Sequence, residues 1–142
     1  MGKFSRIKIL LLIILVGSLK GCSREKEEST FEFMEGKWEL LHISGGFAGI
    51  DEDFEPGSIV WNFHTDSGTL IIENMSNSDA LYKGLPTGDY SYSVIIAKKN
   101  LFLEVNSQEF GGLTLTNNQM VLNQNIITNG SGADGFILRL KR

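Results

Sequence analysis

Residues 36–46 read Gly36-Lys37-Trp38-Glu39-Leu40-Leu41-His42-Ile43-Ser44-Gly45-Gly46, and the folded part of the chain is organised around them. A repeat of two residues puts alternate side chains on opposite faces of an extended strand. Strict alternation groups Trp38, Leu40 and His42 on one face and Glu39, Leu41 and Ile43 on the other. The glycine pair Gly45-Gly46 ends the strand in a turn.

The same period continues to the end of the chain. It predicts further strands over residues 58–64, 69–74, 90–97, 101–105, 113–116, 119–125 and 136–141. Thr65-Asp66-Ser67-Gly68, Lys98-Lys99-Asn100 and Asn117-Asn118 supply tight turns, the last as a pair that tolerates positive φ. No window of helical length carries a 3.6-residue apolar stripe. The expected fold is therefore all-β, an eight-stranded up-and-down antiparallel barrel, with a β-sandwich as the alternative. Closing the sheet removes exposed edges, and eight strands leave an interior that side chains can fill or that holds one small ligand. The connection after Gly46 carries Phe47, Ile50 and Phe54, and is expected to fold over the open end as a lid. Residues 76–89 read as a polar loop with a short extended piece at 80–83.

At 142 residues the chain has room for one ordinary domain. Four of its 13 basic residues, Lys3, Arg6, Lys8 and Lys20, precede Cys22, leaving nine against 17 acidic residues and a formal charge near −8. Such a surface lacks the basic stripe that phosphate neutralisation needs, so no nucleic-acid partner is expected. One cysteine allows no internal disulfide and no multi-cysteine zinc site.

The front of the chain has a basic start, an apolar run from Ile9 to Val16 and a small-residue boundary, the layout of a secretory signal. The run falls short of the roughly 20 residues that span a bilayer as a helix. Leu19-Lys20-Gly21-Cys22 resembles a bacterial lipobox, although Lys20 stands where a small uncharged residue is usual. The resemblance implies cleavage after Gly21 and lipidation of Cys22. Acyl chains such as palmitate contribute ~0.8 kcal/mol per buried methylene to a membrane anchor. With Ser23 after the cysteine, the resemblance also implies the outer membrane, with a periplasmic or surface orientation, and the charged residues that follow read as a solvated tether. The expected division is 1–21 signal peptide, 22–34 lipidated N-terminus and tether, and 35–142 barrel.

Gly36-x-Trp38 on the first strand and Arg139 on the last resemble the closure signature of a lipocalin-like, calycin-type barrel. With the stretches G-K-W-E-L, I-S-G-G-F-A-G and G-A-D-G-F-I-L, the folded region is similar to the lipocalin-like lipoproteins of Gram-negative envelopes. The resemblance implies that Trp38 plugs one end of the barrel and that the Arg139 guanidinium lies across its ring. It also implies a small hydrophobic ligand and no catalysis. Trp61, Phe63, Tyr90, Tyr92 and Phe102 are the aromatic candidates for lining such a pocket, set against the plainer reading that they are core. The alternative function is a filled barrel that binds a partner protein through its loops.

No catalytic residue, cofactor or metal ligand is expected. His42 and His64 are the only histidines, and no G-x-S-x-G elbow accompanies them. Asp51, Asp53 and Glu55 could offer hard oxygens to a cation, but acidic loops are more often simply solvated. The lipid anchor has a direct check: Cys22→Ala is expected to move the protein from the membrane to the soluble fraction on cell fractionation, and unchanged membrane association would contradict lipidation.

Overall fold

The computed structural model describes residues 31–142. The signal segment, Cys22 and the charged residues after it lie outside the described residues. A single-turn 3-10 helix, Glu32–Met34, leads into nine strands: β1 (Gly36–Gly45), β2 (Ile50–Asp53), β3 (Ile59–His64), β4 (Thr69–Asn74), β5 (Gly88–Ala97), β6 (Asn100–Val105), β7 (Gln108–Leu115), β8 (Gln119–Asn123) and β9 (Phe136–Lys141).

From β3 onward each strand pairs antiparallel with the next, and β9 returns to pair with β1. β1 and β3 to β9 thus form a closed eight-stranded barrel, and among the described residues β2 pairs with β1 alone. β1 is long because it serves two partners along one edge. Gly36 to Glu39 face β3, while His42 to Gly45 face β2. Its other edge carries β9 along most of its length.

Two bulges decide what points inward. Along the β1–β9 seam, Leu40 opposes Leu140 and His42 opposes Arg139, so Leu41 has no partner. An extra residue on one strand inverts the faces beyond it. Trp38, Leu40 and Ile43 therefore enter the core, and His42 turns outward, against the expectation from strict alternation. In β7 the register with β6 shifts between Leu103↔Gly111 and Glu104↔Glu109, which leaves Phe110 as the extra residue. A Cβ on Gly111 would lie 2.5 Å from the Asn123 carbonyl oxygen, so β7 can pass β8 there only with glycine. The two-residue hairpin turns with positive φ are Lys98-Lys99 and Asn106-Ser107, not Asn117-Asn118.

The core inside the barrel is built from Trp38, Trp61, Phe63, Met34 and the inward aliphatic residues of β1, β3, β4, β6, β8 and β9. At the end where β1 starts, the 3-10 turn closes the opening. Met34 is completely buried, and the Trp38 indole Nε1 donates to the Met34 carbonyl at 2.8 Å. Residues 32–34 therefore belong to the folded domain, which starts earlier than the expected boundary at 35.

The cation on Trp38 is also not the expected one. Arg142 holds its guanidinium 4.0 Å from the centre of the Trp38 ring and donates to the Phe33 carbonyl. Arg139 lies on the exposed outer wall between His42 and Val121. Leu138 and Leu140 point inward, so the residue between them must point out. Arg142 lies one residue past the end of β9 and is free to turn under the barrel.

Denaturant unfolding separates these roles. Trp38→Ala should lower stability by ~3–5 kcal/mol as a buried aromatic truncation. Arg142→Ala should cost about 0.5–1 kcal/mol through the exposed cation–π contact, and Arg139→Ala should be close to neutral. A larger loss for Arg139 than for Arg142 would refute the assignment.

Candidate functional site

The barrel interior is where the aromatic candidates were expected to meet, and most of them do. Trp61 and Phe63 are fully buried, with ring centroids 6.3 Å apart. Tyr92 meets Phe63 edge-on at 5.0 Å, and Phe110 meets Trp61 edge-on at 5.7 Å. The row Phe110, Trp61, Phe63, Tyr92 spans the interior. Tyr90 is half-buried against the same core, and its hydroxyl donates to the Pro86 carbonyl at 2.9 Å.

Phe102 does not belong to this set. It stands in register with Ile95 and Gly112, on the face of the sheet opposite Leu101 and Leu103, and is buried outside the main core. Ile126 covers that outer face, since a Cβ on Gly112 would lie 2.9 Å from it. Phe110, by contrast, was missed. Alternation from Gly111 and Leu113 assigns it outward, and only the bulge turns it into the barrel.

The end of the barrel opposite Trp38 is closed by residues 75–87. Gly84 has φ +76, and a Cβ there would sit 3.3 Å from Leu40 Cδ2 and 3.7 Å from both Leu138 Cδ2 and Trp61 Cζ2. The backbone of the loop thus rests directly on the core. Tyr82 stacks on Phe136 at 4.0 Å and 14°, and its hydroxyl accepts from Gln124 Nε2 at 3.4 Å. Ala80 and Leu85 pack against the core beside it.

Polar ties hold the loop in place. Asn74 Nδ2 donates to the Lys83 carbonyl at 2.9 Å, and Lys83 Nζ donates to the Ser78 carbonyl at 3.0 Å. Ser78 Oγ donates to Glu52 at 2.8 Å. The lid expected from residues 47–54 is therefore supplied by 75–87. Phe47 is 93% exposed at the tip of the β1–β2 hairpin, and of that connection only Phe54 is buried.

One polar atom inside lacks a partner. Trp61 Nε1 is buried without a hydrogen bond among the described residues. The depressions around the molecule, about 230 Å³ over β8, β9 and β1 and up to about 380 Å³ beside residues 75–87, lie outside the barrel wall.

Burial and neighbouring charge shift the titrating groups near the core. The Tyr92 hydroxyl is pushed up to about 12, first by burial and then by the Glu35 carboxylate. Burial also raises Tyr82, against a smaller pull from its bond with Gln124. Glu35 is held below its usual range because its carboxylate accepts from the Thr65 hydroxyl and from the Thr65 backbone N–H, both at 2.6 Å.

On the outside, His42 bridges two carboxylates, with Nδ1 2.7 Å from Asp53 and Nε2 3.2 Å from Asp51. His64 Nε2 lies 3.1 Å from Asn62 Nδ2. Among the described residues, no group of His, Cys, Asp and Glu has the geometry of a metal site.

No protein-family model matches the chain, and no match is found among curated proteins or solved structures. Fold and site geometry therefore carry the functional reading.

The tyrosines give a pH dependence with a definite sign. A phenol whose folded pKa is raised stabilises the fold fully below the unfolded value near 10, and that stabilisation is lost as pH climbs through about 12. Stability should fall across that window, and Tyr92→Phe should flatten the fall. An identical alkaline profile for the variant would contradict the burial of the Tyr92 hydroxyl.

Proposed function

We propose that this protein is a lipid-anchored envelope module that engages a protein partner through its outer loops, and that its barrel is filled with its own side chains. It belongs, on this reading, to the lipocalin-like lipoproteins of Gram-negative outer membranes. Cys22 supplies the anchor and the charged residues after it supply the spacer. The reading includes no catalysis.

The observation that carries it is the state of the interior. Trp38, Trp61, Phe63 and Met34 occupy the volume in which a barrel of this size would hold cargo, and Gly84 seats the closing loop on Leu40 and Trp61. Eight strands leave little more than the space such side chains take.

A second reading, carriage of a small hydrophobic ligand, draws support from Trp61. Its unpartnered Nε1 would meet an apolar molecule with one hydrogen-bond acceptor if residues 75–87 swung aside.

Native mass spectrometry of the protein released gently from its own envelope separates the two. The filled barrel predicts the mass of the lipidated chain alone. A retained small-molecule mass that disappears on unfolding would overturn it in favour of carriage.

A further inference from the structure

β2 is a strand with one partner. It pairs with β1 through His42↔Asp53 to Gly45↔Ile50, and among the described residues no strand lies on its other side. The Phe54 N–H bonds to the Leu41 carbonyl. By the two-residue period, Ile50 and Glu52 also turn their backbone groups toward β1, and Asp51 and Asp53 turn theirs away. Among the described residues, no backbone hydrogen bond reaches that outer edge.

The sheet would ordinarily continue here. β3 and β2 lie end to end along β1, and β4 pairs with all of β3. Past Asn74, where β4 would have met β2, the Met75 N–H makes a last bond to the Ser58 carbonyl and the chain leaves the ladder. Ser78 Oγ to Glu52 is a side-chain bond that crosses the resulting gap. Two grooves remain on either side of it. One of about 330 Å³ lies between Ile50, Asp51, Glu52 and residues 79–81. Another of about 340 Å³ lies between Asp53, Phe54, Glu55 and residues 75–78.

We infer that the open edge of β2 is a docking site for an extended segment of a partner protein in which basic and apolar residues alternate. The alternation follows from the faces of β2. Asp51 and Asp53 lie on the outer face with His42, so a strand added beside them places every second side chain near carboxylates. Ile50 and Glu52 lie on the other face, with 85%-exposed Leu81 beside them, and 69%-exposed Met75 lines the groove next to Asp53, so both offer apolar surface that the domain leaves uncovered.

The charges around the gap are Asp51, Glu52, Asp53, Glu55 and Asp79 on one side of the balance. Lys83 is on the other, and it is committed to the Ser76 and Ser78 carbonyls. A second copy of this chain would bring the same carboxylates face to face, which selects a basic partner over self-pairing. Main-chain bonds supply affinity and alternate side chains supply specificity in this mode of recognition. The incoming strand replaces the Ser78–Glu52 bond. The inference rests on the partner-binding reading given above.

The test uses the full chain in detergent micelles and an alternating Lys-Val hexapeptide, with an alternating Glu-Val hexapeptide as control. Amide shifts on titration should concentrate at residues 50–53 and 75–81 for the Lys-Val peptide and be absent for the control. Raising salt from about 50 to 300 mM should weaken binding several-fold, because the attraction is between exposed charges. Asp79→Lys combined with Glu55→Lys, both at exposed positions outside the His42 clamp, should lower affinity at least tenfold while leaving the unfolding midpoint unchanged.

Lack of binding, binding that shifts other residues, or dimers formed through β2 would overturn the inference. Any of these leaves the filled barrel intact if the mass of the native protein is bare. A retained ligand would instead remove the reading on which the inference rests.

Discussion

Trp38 ties the two ends of the folded chain together, and the closed barrel depends on that junction. Its indole donates to Met34, which precedes β1, and its ring carries the guanidinium of Arg142, the last residue. Between them runs the seam of β1 with β9. A sheet that curls without such a seam leaves two long edges of unpaired backbone. Here the seam removes both, and the aromatic ring, the buried methionine and the terminal cation close the lower opening in one contact set.

Closure at that end is matched by closure at the other. Gly84 seats residues 75–87 on Leu40, Leu138 and Trp61, and Tyr82 stacks on Phe136. The loop that closes the mouth is also the stretch that fails to continue β4 along β2. One departure of the chain thus produces two features, a plugged interior and an open strand edge with apolar and acidic surroundings.

Much of the fold was legible in the sequence because most strands alternate cleanly between turn signals. The bounds of β4 and β9 and the existence of eight of the nine strands follow from that pattern. What could not be read has specific causes. Leu40 and Leu41 are the same residue type, so nothing marks the bulge that exchanges His42 for Ile43. Asp51-Glu52-Asp53 has the composition of a solvated loop, and it becomes a strand only because β3 leaves half of β1 unpaired. Residues 75–87 carry their apolar side chains without a regular period, and part of their contact with the core is made by a glycine that offers none. Arg139 and Arg142 are both arginines near one terminus, and only the inward direction of Leu138 and Leu140 assigns the cation to the second. Among the pocket candidates, alternation with Leu101 and Leu103 already separates Phe102 from the rest, whereas Phe110 enters the barrel through a bulge that composition does not reveal.

Amide hydrogen exchange along β9, resolved residue by residue, tests the closed seam most directly. In a closed barrel β9 is bonded on both edges, to β8 and to β1. The amides of residues 137–140 should then all exchange slowly, at the rate set by global unfolding, as should those at the centre of β3. Fast exchange at every second residue of β9, with β3 and β4 still protected, would mean that the edge facing β1 is open and that the sheet does not close.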